Sequence, residues 1–116
     1  MSDCIFCKLA SGEIPTTVVY QDEEVFAFND MSPQAPVHVL IIPKKHIASV
    51  AELADTDAGL IGRMFTVARD VAVKLGIAEN GYRLVVNTGN DGGQSVKHLH
   101  AHLLGGKAMG WPPYAE

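Results

Sequence analysis

Side chains capable of chemistry are concentrated in one short segment. His98, His100 and His102 alternate with Leu99, Ala101 and Leu103, directly after the glycine-rich stretch 89–96. In a β-strand successive side chains point to opposite faces, so this spacing puts the imidazoles on one side and the apolar residues on the other. Imidazole changes charge near neutral pH without help, which suits such a row to proton transfer, nucleophilic attack, phosphate contact or metal binding. A single ion cannot hold the whole row. At ~3.3 Å rise per residue its ends lie ~13 Å apart, whereas a zinc–nitrogen bond is about 2.0–2.1 Å. The spacing predicts a division of labour, with an outer histidine available to a metal and the middle one free to react.

Cys4 and Cys7 are the only cysteines, which excludes a disulfide framework. Their C-x-x-C spacing is open to reading as a metal site, a redox pair or coincidence. Two thiolates with two imidazoles make a closed tetrahedral zinc set, for which His46 and His98 are the candidate nitrogen ligands, and four protein ligands make such a zinc structural. The redox reading requires a strand before the motif, and none is expected there. His100 is the candidate nucleophile, because a neutral imidazole attacks phosphorus and splits one hard displacement into two easier ones. Charge developing on the phosphoryl oxygens needs donors, and His102, Asn87 and the backbone N–H groups of Gly92, Gly93, Gln94 and Ser95 are candidates. Ser95 could also orient the leaving group's proton. The plainer alternatives are a satisfied core histidine at 102 and an ordinary loop hydroxyl at 95. The acidic run Asp22-Glu23-Glu24 reads as a solvated turn, and no Walker loop, G-x-G-x-x-G, G-x-S-x-G or H-E-x-x-H motif occurs.

The elements that must position these groups follow from pattern. Ile5 to Ala10 can form a short helix, ended by Ser11-Gly12. Thr17 to Tyr20, Val25 to Asn29 and Val37 to Ile42 read as strands, the third almost wholly apolar and closed by Pro43. Leu60, Met64, Val67, Val71 and Leu75 recur at helical spacing within one long helix from about Asp55 to Leu75, with Gly76 as its stop. Tyr82 to Thr88 and Lys97 to Leu104 complete the strands. They are expected to pair antiparallel, which would bring Asn87 to the loop mouth beside the histidine face. Trp111 reads as an anchor for the terminus or a partner surface.

At 116 residues the chain reads as a single domain, 1–116, with a real core. Apolar residues make up 47% and charged residues 19%, and no apolar run reaches the roughly 20 residues of a membrane helix. The opening Met1-Ser2-Asp3-Cys4 lacks the features of a signal peptide, so a cytoplasmic location is expected. A formal charge of −4 without a basic stripe disfavours nucleic acid, while leaving small anionic ligands open.

Taken together, the run Gly93-Gln94-Ser95-Val96-Lys97-His98-Leu99-His100-Ala101-His102-Leu103-Leu104-Gly105-Gly106 resembles the H-x-H-x-H motif of the histidine triad (HIT) nucleotide-binding proteins, in their Hint branch. Asp30 to His46, the Cys4-Ile5-Phe6-Cys7-Lys8 opening and Trp111-Pro112-Pro113 agree with it, so the resemblance spans nearly the whole chain. Two features depart from it: Ala101 is smaller than the usual apolar spacer, and the Tyr114-Ala115-Glu116 ending is short. The resemblance implies an α+β fold, with a five-stranded antiparallel sheet, one long helix and a short N-terminal helix, its sheets joined in a homodimer. It implies hydrolysis of purine nucleoside phosphoramidates or aminoacyl adenylates through a nucleotidyl-histidine, releasing AMP or GMP. His100 would be the nucleophile, His102 a phosphate contact, His38 part of the histidine network and Ser95 a group near the leaving group. Ile5, Phe6, Leu9, Phe28, Asn29, Asp30 and Met31 would surround purine and ribose, with Asp30 on the ribose hydroxyls, and Asn87, Gly93 and Gln94 would lie near ribose and phosphate. Structural zinc on Cys4, Cys7, His46 and His98 is implied, with no catalytic metal or organic cofactor. Rival readings are a non-catalytic nucleotide-binding module, a dinucleoside polyphosphate hydrolase, disfavoured by Gly105-Gly106, and a zinc hydrolase whose metal activates water.

Overall fold

The structure, a computed structural model, describes residues 3–113, so the Tyr114-Ala115-Glu116 ending and the first two residues of the chain lie outside it. Helix α1 spans Ile5–Ala10, with Cys4 as its N-cap; the Cys4 sulfur accepts the N–H of Cys7 at 3.3 Å. Strand β1 (Val18–Gln21) turns into β2 (Val25–Asn29) through the acidic run 22–24. That turn is not merely solvated. Asp22 accepts the backbone N–H groups of Glu24 and Val25, both at 2.8 Å, and pairs with Arg63 at 2.9 Å. Burial opposes ionisation of Asp22, but these donors and the Tyr20 hydroxyl outweigh it and hold the carboxyl well below the usual range.

Strand β3 (Val37–Pro43) is followed by two 3₁₀ turns, Val50–Glu52 and Asp55–Asp57, and then by helix α2 (Ala58–Lys74). The first residues of the expected long helix are thus a 3₁₀ turn. Its end behaves as the sequence indicates. Gly76 adopts φ +78°, with its N–H on Val73 O and the N–H of Ile77 on Ala72 O, a Schellman closure that requires a left-handed residue there.

Strands β4 (Tyr82–Val86) and β5 (Ala101–Gly105) complete one sheet of order β1-β2-β3-β5-β4, antiparallel at every pair. Both are shorter than the pattern predicts. The ladder of β5 opens only at Ala101, opposite Ile41 and Val86, leaving His98 and His100 outside regular strand, because β4 stops at Val86 and the chain before Ala101 finds other partners. The Leu99 N–H goes to Ile47 O at 2.7 Å, and Pro43 O is taken by the His98 ring.

The sheet has two apolar faces. Val25, Ala27, Val39, Ile41, Ala101 and Leu103 pack against Met64, Val67, Ala68 and Val71 of α2, with Leu60 and Leu75 at the margin as their spacing predicts. On the other face Phe26, Phe28, Leu40 and Ile42 are covered by Phe6 and Leu9 of α1. Among the described residues no helix is long and apolar enough to cross a membrane.

Candidate active site

The alternation of residues 98–103 survives where the ladder does not. Leu99, Ala101 and Leu103 belong to the core beneath α2, whereas the rings of His98 and His100 lie against Phe6, on the α1 side. His100 and His102 meet edge to face with centroids 5.0 Å apart, and Phe6 stands on His100 at 5.0 Å and 88°. His102 is placed by β5, opposite Leu40 on one neighbour and Val85 on the other.

Backbone groups decide which nitrogen of each ring carries its proton. The His100 Nδ1 lies 2.7 Å from His98 O, and a carbonyl only accepts, so Nδ1 is protonated and Nε2 keeps its lone pair. No described residue bonds to that Nε2, and no buried side-chain nitrogen in the described chain lacks a partner. Although His100 is only 3% exposed, its Nε2 must therefore be the edge that reaches the surface. The Gln34 N–H donates to His38 Nδ1 at 3.0 Å, so His38 carries its proton on Nε2 and donates it to His102 Nδ1 at 2.9 Å. His102 is left with an Nε2–H donor directed away from the chain of bonds. The two neighbouring rings thus present opposite functions, a lone pair on one and an N–H on the other.

Burial favours the neutral form of His38 and His102. It pushes His102 down to about 4, helped by His100 and His38 and opposed by the Asp30 carboxylate, and it lowers His38 against the same carboxylate. Asp30 stands 3.5 Å from His38 Nε2 and accepts the Ser32 N–H at 2.7 Å. Asp30, His38 and His102 are close enough to hold an ion. The Gln34 N–H on Nδ1 forces a proton onto the His38 nitrogen that would have to ligate it, so His38 and His102 are joined by a hydrogen bond instead, with the Asp30 carboxylate standing beside them.

The second cluster is built the other way. His98, fully buried, donates Nε2–H to Pro43 O at 2.8 Å, which turns the Nδ1 lone pair toward Cys4 Sγ at 3.2 Å and Cys7 Sγ at 3.5 Å. His46 Nδ1 lies 3.3 Å from Cys7 Sγ. A zinc tetrahedron with bonds of about 2.3 Å to sulfur and about 2.0 Å to nitrogen has sulfur–nitrogen edges of about 3.5 Å, so the donor set and its spacing fit. The carbonyl behind His98 is the kind of outer partner that fixes a ligating ring. Lys45, next to His46, pairs with the buried Asp57 at 2.8 Å, and Asp57 also accepts the Ala54 N–H before α2.

The remaining expected site residues are more scattered. Phe6 and Phe28 are buried and pack on one another at 5.5 Å, Leu9 is half-buried beside them, and Ile5 and Asn29 are exposed. Met31 projects from the loop after β2, 93% exposed. Asn87 donates to Gly92 O at 2.7 Å, and Gln94 ties the glycine loop to Ala48 O at 2.7 Å and to Val96 O at 2.9 Å, so both side chains shape the loop. Gly92 is required there, since a Cβ would meet Thr88 O at 2.4 Å; Gly93 adopts φ +79°. Ser95 is exposed and lines an open cavity with Cys4 and His46; among the described residues no hydrogen bond joins it to His100. Sequence reasoning missed the Gln34 N–H and the carbonyls of Pro43 and His98, backbone groups that carry no residue-type signal.

The HIT domain matches residues 11–109. The chain belongs to the HIT family. This HIT protein is 51% identical over 108 residues to the purine nucleoside phosphoramidase of Escherichia coli K12, covering 93% of the chain and 91% of that protein. It superposes on the HIT family hydrolase from Legionella pneumophila Philadelphia 1 with a TM-score of 0.95 and 52% identity, covering 97% of this chain and 100% of that one. The histidine triad nucleotide-binding protein from Candida albicans matches with a TM-score of 0.81 and 33% identity, covering 98% and 86% of the two chains.

Proposed function

We propose that this HIT protein is a hydrolase that binds purine nucleotides and cleaves purine nucleoside phosphoramidates or aminoacyl adenylates, releasing AMP or GMP. The observation that carries this reading is the His100 ring, whose Nδ1–H is held by His98 O while its Nε2 is left with a lone pair and no partner among the described residues. That lone pair attacks phosphorus as its bond to the leaving nitrogen, which takes up a proton from solvent, or to the acyl carboxylate oxygen breaks; water then attacks the nucleotidyl-histidine, supplying the new oxygen of the released nucleotide and returning the His100 lone pair. The Nε2–H of His102 meets the charge growing on a phosphoryl oxygen. His38 orients His102 and does not relay a proton, because surrendering Nε2–H while accepting from Gln34 would make it an anion. We assign Asp30 to the ribose hydroxyls, Ile5, Phe6, Leu9, Phe28, Asn29 and Met31 to the walls around purine and ribose, Asn87, Gly93 and Gln94 to the ribose and phosphate side, and Ser95 to the leaving group.

The donor chemistry of Cys4, Cys7, His46 and His98 supports zinc as the metal they would hold, where it would supply a closed cross-link between α1 and the segment after β3. No organic cofactor and no catalytic metal is needed in this scheme. We further propose one HIT domain across the chain, a homodimer and a cytoplasmic location. Replacement of His100 by Ala tests the reading. Turnover of an adenosine phosphoramidate should fall by at least the roughly 10²- to 10⁴-fold associated with a positioned proton-transfer group, with AMP binding still measurable. Retained turnover removes His100 from the chemistry, and AMP binding with no turnover even in the natural sequence makes the protein a binding module.

A further inference from the structure

Phe6 lies on α1 between the two cysteines, 6% exposed, and is among the described residues the one side chain in ring contact with both His98, at 5.9 Å, and His100, at 5.0 Å. Helix α1 has six residues, too few to persist by its own hydrogen bonding, so its position depends on what its side chains grip. At one end that grip is the contact of Cys4 and Cys7 with the His98 and His46 rings, and between them it is Phe6, wedged against Phe28 at 5.5 Å. His98 closes the circuit. Its ring faces the sulfurs while its carbonyl holds the Nδ1–H of His100.

We infer that Phe6 is a positioning residue: its ring, seated by the Cys4–Cys7–His46–His98 cluster, holds the His100 imidazole with Nε2 outward, so that the state of the cluster reaches the nucleophile. This rests on the proposed roles of His100 and of the metal site, and it gives that site a part in turnover as well as in stability. An edge-to-face contact between a phenyl ring and an imidazole restrains ring rotation without a hydrogen bond to either nitrogen, which suits a ring that must keep one lone pair available.

The test compares the natural sequence with Phe6→Leu, with Cys4→Ser/Cys7→Ser, and with all three changes combined. It reads kcat and KM on an adenosine phosphoramidate, AMP affinity by calorimetry, and the His100 ring nitrogens by ¹⁵N NMR. In the zinc-loaded natural sequence His100 should show one tautomer, protonated at Nδ1. Phe6→Leu should give averaged ring signals and a kcat about 10- to 100-fold lower, the scale on which misplacement of a reacting group is felt, over and above any weakening of AMP binding that comes from its place in the purine wall. The cysteine variant, which keeps Phe6, should show the same averaging and a loss of the same size, and the triple variant should be no worse than either. An unaveraged His100 ring with kcat intact in Phe6→Leu would leave Phe6 a wall of the purine pocket alone and overturn the inference, as would losses that multiply in the triple variant. If Phe6→Leu does not fold, an unchanged His100 signal in the cysteine variant overturns it. A natural sequence that turns nothing over defeats the functional reading alone, because the ring signals still decide whether Phe6 orients His100.

Discussion

Cys4, Cys7, His46 and His98 gather at the start of the histidine segment, and Asp30, His38 and His102 at its end, each set with its ligand atoms within 4.8 Å of one another. By composition both could be metal sites. They differ in what the backbone does to the rings. Pro43 O draws the His98 proton to Nε2 and leaves a lone pair facing sulfur, whereas the Gln34 N–H fills the lone pair of His38 Nδ1 and turns its other nitrogen into a donor. Two imidazoles buried to a similar degree are thereby sorted, one toward a soft cation and one toward an anion. His100 sits between the two sets and takes its tautomer from the His98 carbonyl. A histidine cluster thus acquires its chemistry from the backbone partner behind each ring, more than from the number of rings it contains.

The contrast can be broken most forcefully at His98, which is fully buried and bonded through both nitrogens. His98→Ala should destabilise the fold by about 2–4 kcal/mol, through the cavity and the unpaired Pro43 carbonyl, as read by denaturant titration. A loss below 1 kcal/mol, by the same order-of-magnitude reckoning, would mean the ring is not a keystone of the cluster. His38→Ala should leave zinc content untouched, measured by elemental analysis, while lowering kcat about 10- to 100-fold through a loosened His102. Conversely, Cys4→Ser/Cys7→Ser should abolish stoichiometric zinc and lower the melting temperature, and Asp30→Asn should do neither to the metal. Zinc retained without the thiols would show that the two clusters had been told apart wrongly.

The smallest effect is in proton uptake. His102 takes up its proton near 6.5 in the unfolded chain but only near about 4 when folded, so between those values the unfolded state binds more protons. Stability contributed by neutral His102 is complete above about pH 6.5 and is lost progressively as pH falls toward about 4. An NMR titration should find the His102 midpoint near about 4, shifted lower still in Asp30→Asn, since the Asp30 carboxylate raises it. A midpoint at the ordinary histidine value would mean that the ring is solvated.

Much of this arrangement is legible in the residues, for identifiable reasons. Alternation at 98–103 separates core from site because burial enforces a period of two even where the ladder hydrogen bonds are missing. Leu60, Met64, Val67, Val71 and Leu75 mark the helix face, and Gly76 its end, because each answers a local requirement. The strand limits at β4 and β5 are misjudged because they depend on longer-range partners: Asn87 turns to hold the glycine loop, so β4 ends at Val86, and the Leu99 N–H goes to Ile47 O instead of a ladder partner. Asp22 passes for a solvated acid because its partner, Arg63, lies far along the chain. The tautomers are beyond reach of the sequence for the same reason, since the group that sets His98 is a carbonyl 55 residues away.

Everything in the account converges on His100 Nε2 as the atom that bonds to phosphorus. Mass spectrometry of the protein quenched shortly after mixing with an adenosine phosphoramidate tests this directly. One added nucleotidyl group per chain is expected, mapped by fragmentation to His100 and absent in His100→Ala. Turnover without any adduct, or an adduct on another residue, would contradict it.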